Sequence, residues 1–287
     1  MQPQPEDRLT ETPPRRTPGA GLILGAAVAI GVIMLLVLPS NEDERPIESE
    51  PVVTQPAPQA EVELPPAPDI PVREEARPPA EPEAVEIEPA LTLEQSDAVL
   101  RETFTPPTPD ADDASQLIAT ALAEDDLVQR TAGLVDGLSR GLVLQKALPL
   151  PQPETPFKTQ EIDGLVIISP ASYARYDHYA QAIAAVDADL VASTFHQLRP
   201  LLESAYAGLG YAPEEFDNAL VRALDRILAT PVVSEPLEVK RVEAVYQFTD
   251  PSLEQLSSVQ KQLLRMGPDN AAVVKAKAAQ LRAALLN

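Results

Sequence analysis

The chain has no cysteine. That removes disulfides, thiolate metal sites and a cysteine nucleophile from consideration. Aromatic side chains are missing from its first hundred positions, since every one of the 5 Phe and 6 Tyr comes later. A segment without aromatics and rich in Pro and Glu cannot bury enough apolar surface to offset the entropy of ordering it. The part able to build a core is therefore the C-terminal two-thirds. Positive charge is also scarce: 22 Lys and Arg face 44 Asp and Glu, a net −22. A phosphate-binding protein needs a basic stripe to displace counterions. None is present, which excludes nucleic acid as a partner. The mildly basic C-terminal stretch (Lys240, Arg241, Lys261, Arg265, Lys275, Lys277 and Arg282) has its charges spaced along helices and reads as a solvated helix face.

Between Arg16 and Glu42 there is no charged residue, and 20–38 reads AGLILGAAVAIGVIMLLVL before Pro39. About 20 apolar residues at ~1.5 Å rise each cross a hydrocarbon core of about 30 Å. The run is apolar on every face, unlike a buried soluble helix. It lacks the small-residue pair of a cleaved signal peptide, so an uncleaved single-pass anchor over 19–39 is expected. Arg8, Arg15 and Arg16 precede it, while only Arg45 closely follows it, among Glu42, Asp43 and Glu44. This bias orients residues 1–18 to the cytoplasm and exports the rest, into the periplasm if the cell is Gram-negative. The expected location is thus the inner membrane, with the lipid bilayer as a partner through 19–39. Gly21, Gly25 and Ala29 fall on one face and permit close helix packing, so a homodimer is possible.

Residues 40–90 are dominated by Pro, Glu, Ala and Val, and 41–90 carry 14 acidic and 3 basic residues, a net −11. Proline fixes φ and like charges repel, which predicts a disordered, extended stalk with polyproline character. From residue 91 to 287 the pattern becomes that of a mainly α domain with a minor β-hairpin component. Asp125 or Asp126 is placed to cap a helix with the stripe Leu127, Val128, Thr131, Leu134, Val135 and Leu138, ended by Gly141. FKTQEI and LVIIS flank Asp163 and Gly164, a two-residue hairpin signal. Residues 142–146 could add a third short strand. Single helices are expected over 171–186, over 189–209 (with Asp189 as cap and Pro200 kinking or opening the second half) and over 213–228. Residues 237–240 and 244–248 read as strands or extended segments. One helix is expected from Asp250 and Pro251 to Gly267, and a last one from Pro268.

Several stretches carry a resemblance: 173–177 (YARYD), 185–187 (AVD), 200–202 (PLL), 205–206 (AY), 209–211 (LGY), 228–231 (LATP), 246–251 (YQFTDP) and 260–268 (QKQLLRMGP). Through them the chain resembles a bacterial family of uncharacterised membrane-anchored proteins, the domain-of-unknown-function family numbered 3014. The resemblance covers about the last 115 residues well. It implies a proteobacterial envelope protein with an anchor–stalk–domain plan. It implies no activity, and it carries no catalytic residues over.

No P-loop, dinucleotide fingerprint or nucleophile elbow occurs. His178 and His196 are not in metal-ligand spacing, and no cofactor or metal is expected. Asp187 and Asp189 are an acidic pair of the kind that holds Mg²⁺, but capping explains Asp189. The most suggestive cluster is Tyr173, Arg175, Tyr176 and Asp177, with Tyr206 and Tyr211 downstream. Tyr and Arg are favoured interface anchors, so these six are the candidates for a groove that takes a peptide, glycan or partner helix. The reading these residues favour over a groove is a core with tyrosine hydroxyls at the rim. The leading expectation is a non-enzymatic envelope module that binds or scaffolds an unknown envelope or cell-wall partner. The alternatives are an enzyme on cell-wall or lipid-linked substrates using Asp177, Asp187 or His178, and a regulator that signals through paired membrane helices.

Overall fold

A computed structural model of the protein describes residues 69–71, 91–104, 113–144, 150–233, 236–243 and 245–287. The expected anchor over 19–39, with Gly21, Gly25 and Ala29, lies outside them, as does the stalk except for 69–71. Among the described residues no helix is long and apolar enough to cross a membrane.

The first three helices are α1 (Leu93–Phe104), α2 (Asp113–Leu122) and α3 (Leu127–Ser139). Asp126 precedes α3 as expected, but its φ is +59° and its side chain makes no capping bond. The cap comes from α1 instead. Asp97 accepts from Asp126 N at 2.8 Å and Leu127 N at 3.0 Å, satisfying donors left open at a helix start. One turn further along α1, Arg101 donates to the carbonyls of Leu122 and Glu124, each at 2.8 Å, closing the other end of the same turn. Gly141, at φ +80°, ends α3 as expected. Leu142 N returns to Gly137 O and Gly141 N to Leu138 O, each at 2.8 Å, which is a Schellman closure. Residues 142–144 are not strand, because this closure already uses Leu142 N; 145–146 lie outside the described residues.

The hairpin forms where Asp163 and Gly164 place it. β1 (Thr159–Ile162) pairs antiparallel with β2 (Leu165–Ile168), and both turn residues have positive φ, +54° and +80°, as a type I′ turn demands. The single helix expected over 171–186 is divided into α4 (Pro170–Tyr173), a 3₁₀ turn (Ala174–Tyr176) and α5 (Asp177–Ala185). α6 (Ala188–Ala207) follows, capped by Asp187 and not Asp189: Asp187 accepts from Leu190 N at 2.8 Å. Pro200 lies within α6, which continues on both sides of it. A 3₁₀ turn (Pro213–Glu215) leads into α7 (Phe216–Leu228).

The extended segments form a second hairpin, β3 (Val239–Val242) with β4 (Val245–Phe248). It touches the first through the Ile167–Glu238 bridge and a bond from Ile168 N to Leu237 O at 3.0 Å. The helix expected from 251 to 266 is two: α8 (Pro251–Glu254) and α9 (Ser258–Arg265). Ser257 and Gln260 form a capping box, which starts a new helix inside the apolar stripe. α10 (Pro268–Leu286) closes the chain.

Two clusters of buried apolar side chains result. The large one joins α3, α5, α6, α7 and α10, with Phe195, Phe216, Leu220 and Leu224 fully buried. The small one holds Ile168, Leu237, Val239, Phe248 and Leu264, between the hairpins and α9. The C-terminal cations do not share one solvated helix face: Lys240 and Arg241 are exposed on a strand, and those on the helices are half-buried and engaged. Lys275 and Lys277 donate to Thr230 O and Val186 O, Arg282 pairs with Asp225 at 2.6 Å and Lys261 with Glu254 at 2.9 Å. Lys240 and Arg241 sit on β3. Spacing along the chain could not show that the carbonyl ends of other helices come within their reach.

Candidate functional site

The six groove candidates fall in three places. Tyr173, half-buried on α4, faces an apolar cavity of about 220 Å³. Two residues on, Arg175 faces a polar cleft of about 610 Å³ on the other side of the 3₁₀ turn. Tyr206 and Tyr211 stack at the C-terminal end of α6, ring centroids 4.8 Å apart, with Phe216 edge-on to Tyr206 at 5.5 Å; Tyr206 is buried and Tyr211 is exposed. The aromatic spacing in the sequence does not reveal this separation. It follows from the break at 174–176, which turns successive side chains toward opposite cavities.

The apolar cavity lies where the two hairpins meet α9 and α10. Ile167, Ile168 and Leu237 form one wall, Leu264 and Ala271 another, and Val232, 82 % exposed, stands at the mouth. Gly267 shapes the floor. Its φ is +86°, and a Cβ there would meet Tyr173 Cγ at 2.6 Å. Glycine is needed both for the backbone and for the ring that packs against it. Burial pushes the Tyr173 hydroxyl above its ordinary pKa, partly offset by a hydrogen bond to the Leu237 backbone, so it stays a neutral phenol. Among the described lining residues Lys275 is the only charged group. The arrangement suits an uncharged or anionic apolar group.

In the polar cleft, Arg175 is buried and fully engaged. It donates to Thr155 O at 2.9 Å and to Tyr176 Oη at 3.1 Å, and its guanidinium lies 5.8 Å from the Phe157 ring centroid and 5.2 Å from that of Tyr176. It holds the 151–157 segment onto α4 and does not face a ligand as a free cation. Tyr176 is buried beneath it. His178, 4.0 Å from the Tyr179 ring centroid, is held below its ordinary pKa by burial, against the pull of Asp113, Asp177 and Glu154. Burial also pushes the Tyr179 hydroxyl up to about 12, and it donates to Pro151 O. Asp177 points away: Asn270 Nδ2 donates to its Oδ1 at 2.9 Å and to Tyr173 O at 3.1 Å, tying α10 to this segment. Asp177, Asp187 and His178 therefore do not converge. Among the described residues no group of His, Asp or Glu could hold a metal ion.

The titratable residue that pattern reading missed is Asp217, buried in the first turn of α7. Arg199 of α6 bonds its Oδ2, and the Arg199 Nε donates to Glu203 at 3.0 Å. Burial raises the Asp217 carboxyl to about 6. Arg199 opposes the rise, and Glu203 and Asp69 add to it. In the sequence it is one acid among several near a helix N-terminus; only the packing of α6 on α7 reveals that it is enclosed.

A family model described as "Protein of unknown function (DUF3014)" matches residues 127–282. The apolar cavity is built wholly within that span, whereas the polar cleft takes one wall from α2, outside it. No curated protein and no solved structure matches the chain.

Proposed function

The chain belongs to the DUF3014 family, and from that premise we propose a membrane-tethered binding module of the cell envelope. In this reading residues 19–39 anchor the chain in the inner membrane with residues 1–18 in the cytoplasm. Residues 40–90 are the acidic spacer, and the helical domain works in the periplasm as a binding or scaffolding unit. The observation that carries the binding function is the apolar cavity at the hairpin–helix junction. It has an exposed valine at its mouth and Tyr173 and Gly267 at its floor. Cavities of this kind hold apolar groups, with a few polar atoms setting orientation. The ligand is an uncharged or anionic apolar group presented by an envelope partner.

Two measurements test this. A fluorescent apolar probe, N-phenylnaphthylamine, is titrated into the full chain in detergent. The native chain is expected to show a saturable component above the micelle background. Ala272→Trp, which fills the cavity from its α10 wall, should remove that component and leave the melting temperature in place. A probe signal that is the same with and without the tryptophan rules the cavity out. The tether is tested separately, with a reporter at the C-terminus that is active only after export; activity confined to the cytosol refutes it.

The polar cleft supports a second reading as an enzyme on cell-wall or lipid-linked substrates, because His178 is held neutral there beside Glu154 and Asp113. His178→Gln separates the two readings: it should leave probe binding unchanged and abolish only a hydrolytic activity.

A further inference from the structure

The large core contains one side chain from far outside the helical domain. Ile70 is 2 % exposed and belongs to the cluster built by α3, α5, α6, α7 and α10, although beyond Pro71 the next described residue is Leu91. Its neighbours Asp69 and Pro71 are both exposed. A single inserted aliphatic flanked by two outward residues is the pattern of an anchor, not of a strand or helix packed along its length. We propose that residues 69–71 form an intramolecular clip, by which the domain grips its own acidic spacer through Ile70 beside the Asp217–Arg199 pair.

Three observations converge on that site. Ile70 is inserted into the core. The carboxylate of Asp69 lies close enough to Asp217 to act on its protonation. In this patch of α6 and α7, Asp217 Oδ1, Arg199 Nη1 and Asn218 Oδ1 are buried with no hydrogen-bond partner among the described residues. The sequence of the clip fits its task. Pro71 restricts the backbone of Ile70 before docking. The segment thus loses less conformational freedom when it binds than an ordinary coil does. The recognised chemistry is an aliphatic side chain in a proline-framed acidic segment of this same chain.

The clip divides the spacer. With Pro71 and Leu91 both on the domain, 41–68 are the residues left to span the distance from the anchor. At ~3.1 Å per residue, the upper reach is about 90 Å with the clip closed and about 150 Å with it released. This consequence for reach rests on the tether reading; the clip itself does not.

The chain has no native thiol, so paired spin labels can be placed cleanly at Ala67→Cys and at Glu214→Cys, the latter exposed ahead of α7. The full chain in detergent, diluted with unlabelled chain, is expected to give one narrow distance distribution. Adding Ile70→Ser should broaden it to that of a free coil. Three results overturn the proposal: a broad distribution in the native background, a narrow one that survives Ile70→Ser, or a narrow one that disappears on dilution, which assigns the segment to a second copy. Failure of the tether reading, with the domain found in the cytosol, leaves this distance unchanged, so the two outcomes are distinguishable.

Discussion

The helical core and the hairpin lobe use the same kinds of apolar side chain, but one is sealed and the other is open. In the helical core, Phe195, Leu198, Leu220 and Leu224 have no exposed surface. In the lobe the cluster has five buried members among the described residues, with partly buried side chains such as Phe157 and Tyr246 packed around them, while Ile162 and Leu165 beside the β1–β2 turn remain about half exposed. The difference lies in geometry. A helix surrounded by other helices can bury its full apolar stripe. A two-stranded hairpin has two faces and is marginal alone, so the hairpins pack one face around Leu264 of α9. The apolar cavity is the space left where two such partial packings meet. The comparison teaches that the apolar cavity is a by-product of joining sheet to helix, whereas the polar cleft opens beside α2 and α5.

The largest effect that probes this contrast comes from truncating one phenylalanine in each region. Phe195→Ala should lose about 3–5 kcal/mol in denaturant titration and raise hydrogen exchange throughout. Phe248→Ala should fall at the low end, about 3 kcal/mol, with the extra exchange confined to β1–β4 and α9. Equal, global exchange in both variants breaks the distinction between the two regions. Next comes Gly267→Ala, where the added methyl meets a left-handed backbone and the Tyr173 ring. A loss of about 2–3 kcal/mol is expected, together with loss of probe binding at the cavity floor. Native-like stability with probe binding intact shows that the floor is soft.

A pH series sharpens the same comparison, because the strongly raised carboxylate belongs to the sealed region. Asp217 titrates near 6 in the fold, against 3.8 for an ordinary aspartate. The native state therefore holds the proton more tightly than the unfolded chain. The group favours the fold below pH 4, and that advantage is lost as pH rises through about 6. The loss is on the order of 3 kcal/mol. Melting curves from pH 4 to 7 should show a decline that Asp217→Asn flattens; an unchanged decline assigns it to other groups. The smallest effect is at the edge of the helical core. Asp97→Ala removes the remote cap of α3 and should cost about 1 kcal/mol by thermal denaturation, whereas Asp126→Asn, which suits the left-handed backbone at that position, should not show a cap loss. The reverse order reassigns the cap.

The same arithmetic shows why the clip at Ile70 can open. Burying one isoleucine contributes about 1.5–3 kcal/mol. Closing a loop of roughly 20 residues costs about 3 kcal/mol. The two nearly offset, so a modest competitor or one substitution shifts the balance.

Local chemistry settled much of this protein from the sequence alone. Positive φ at Asp163 and Gly164 dictated the first hairpin, a left-handed Gly141 the end of α3, and the stripe from Leu127 to Leu138 the buried face of α3, because each depends only on neighbours a few residues away. What depends on distant chain meeting distant chain was decided by the tertiary structure. Asp97 rather than Asp126 caps α3, Ser257 cuts an apolar stripe into two helices, and residues 174–176 send Tyr173 and Arg175 to opposite cavities. The enclosure of Asp217 between α6 and α7 and the insertion of Ile70 into a core that begins after residue 90 are of the same kind. Burial is a property of what arrives from elsewhere, and no spacing along the chain records it.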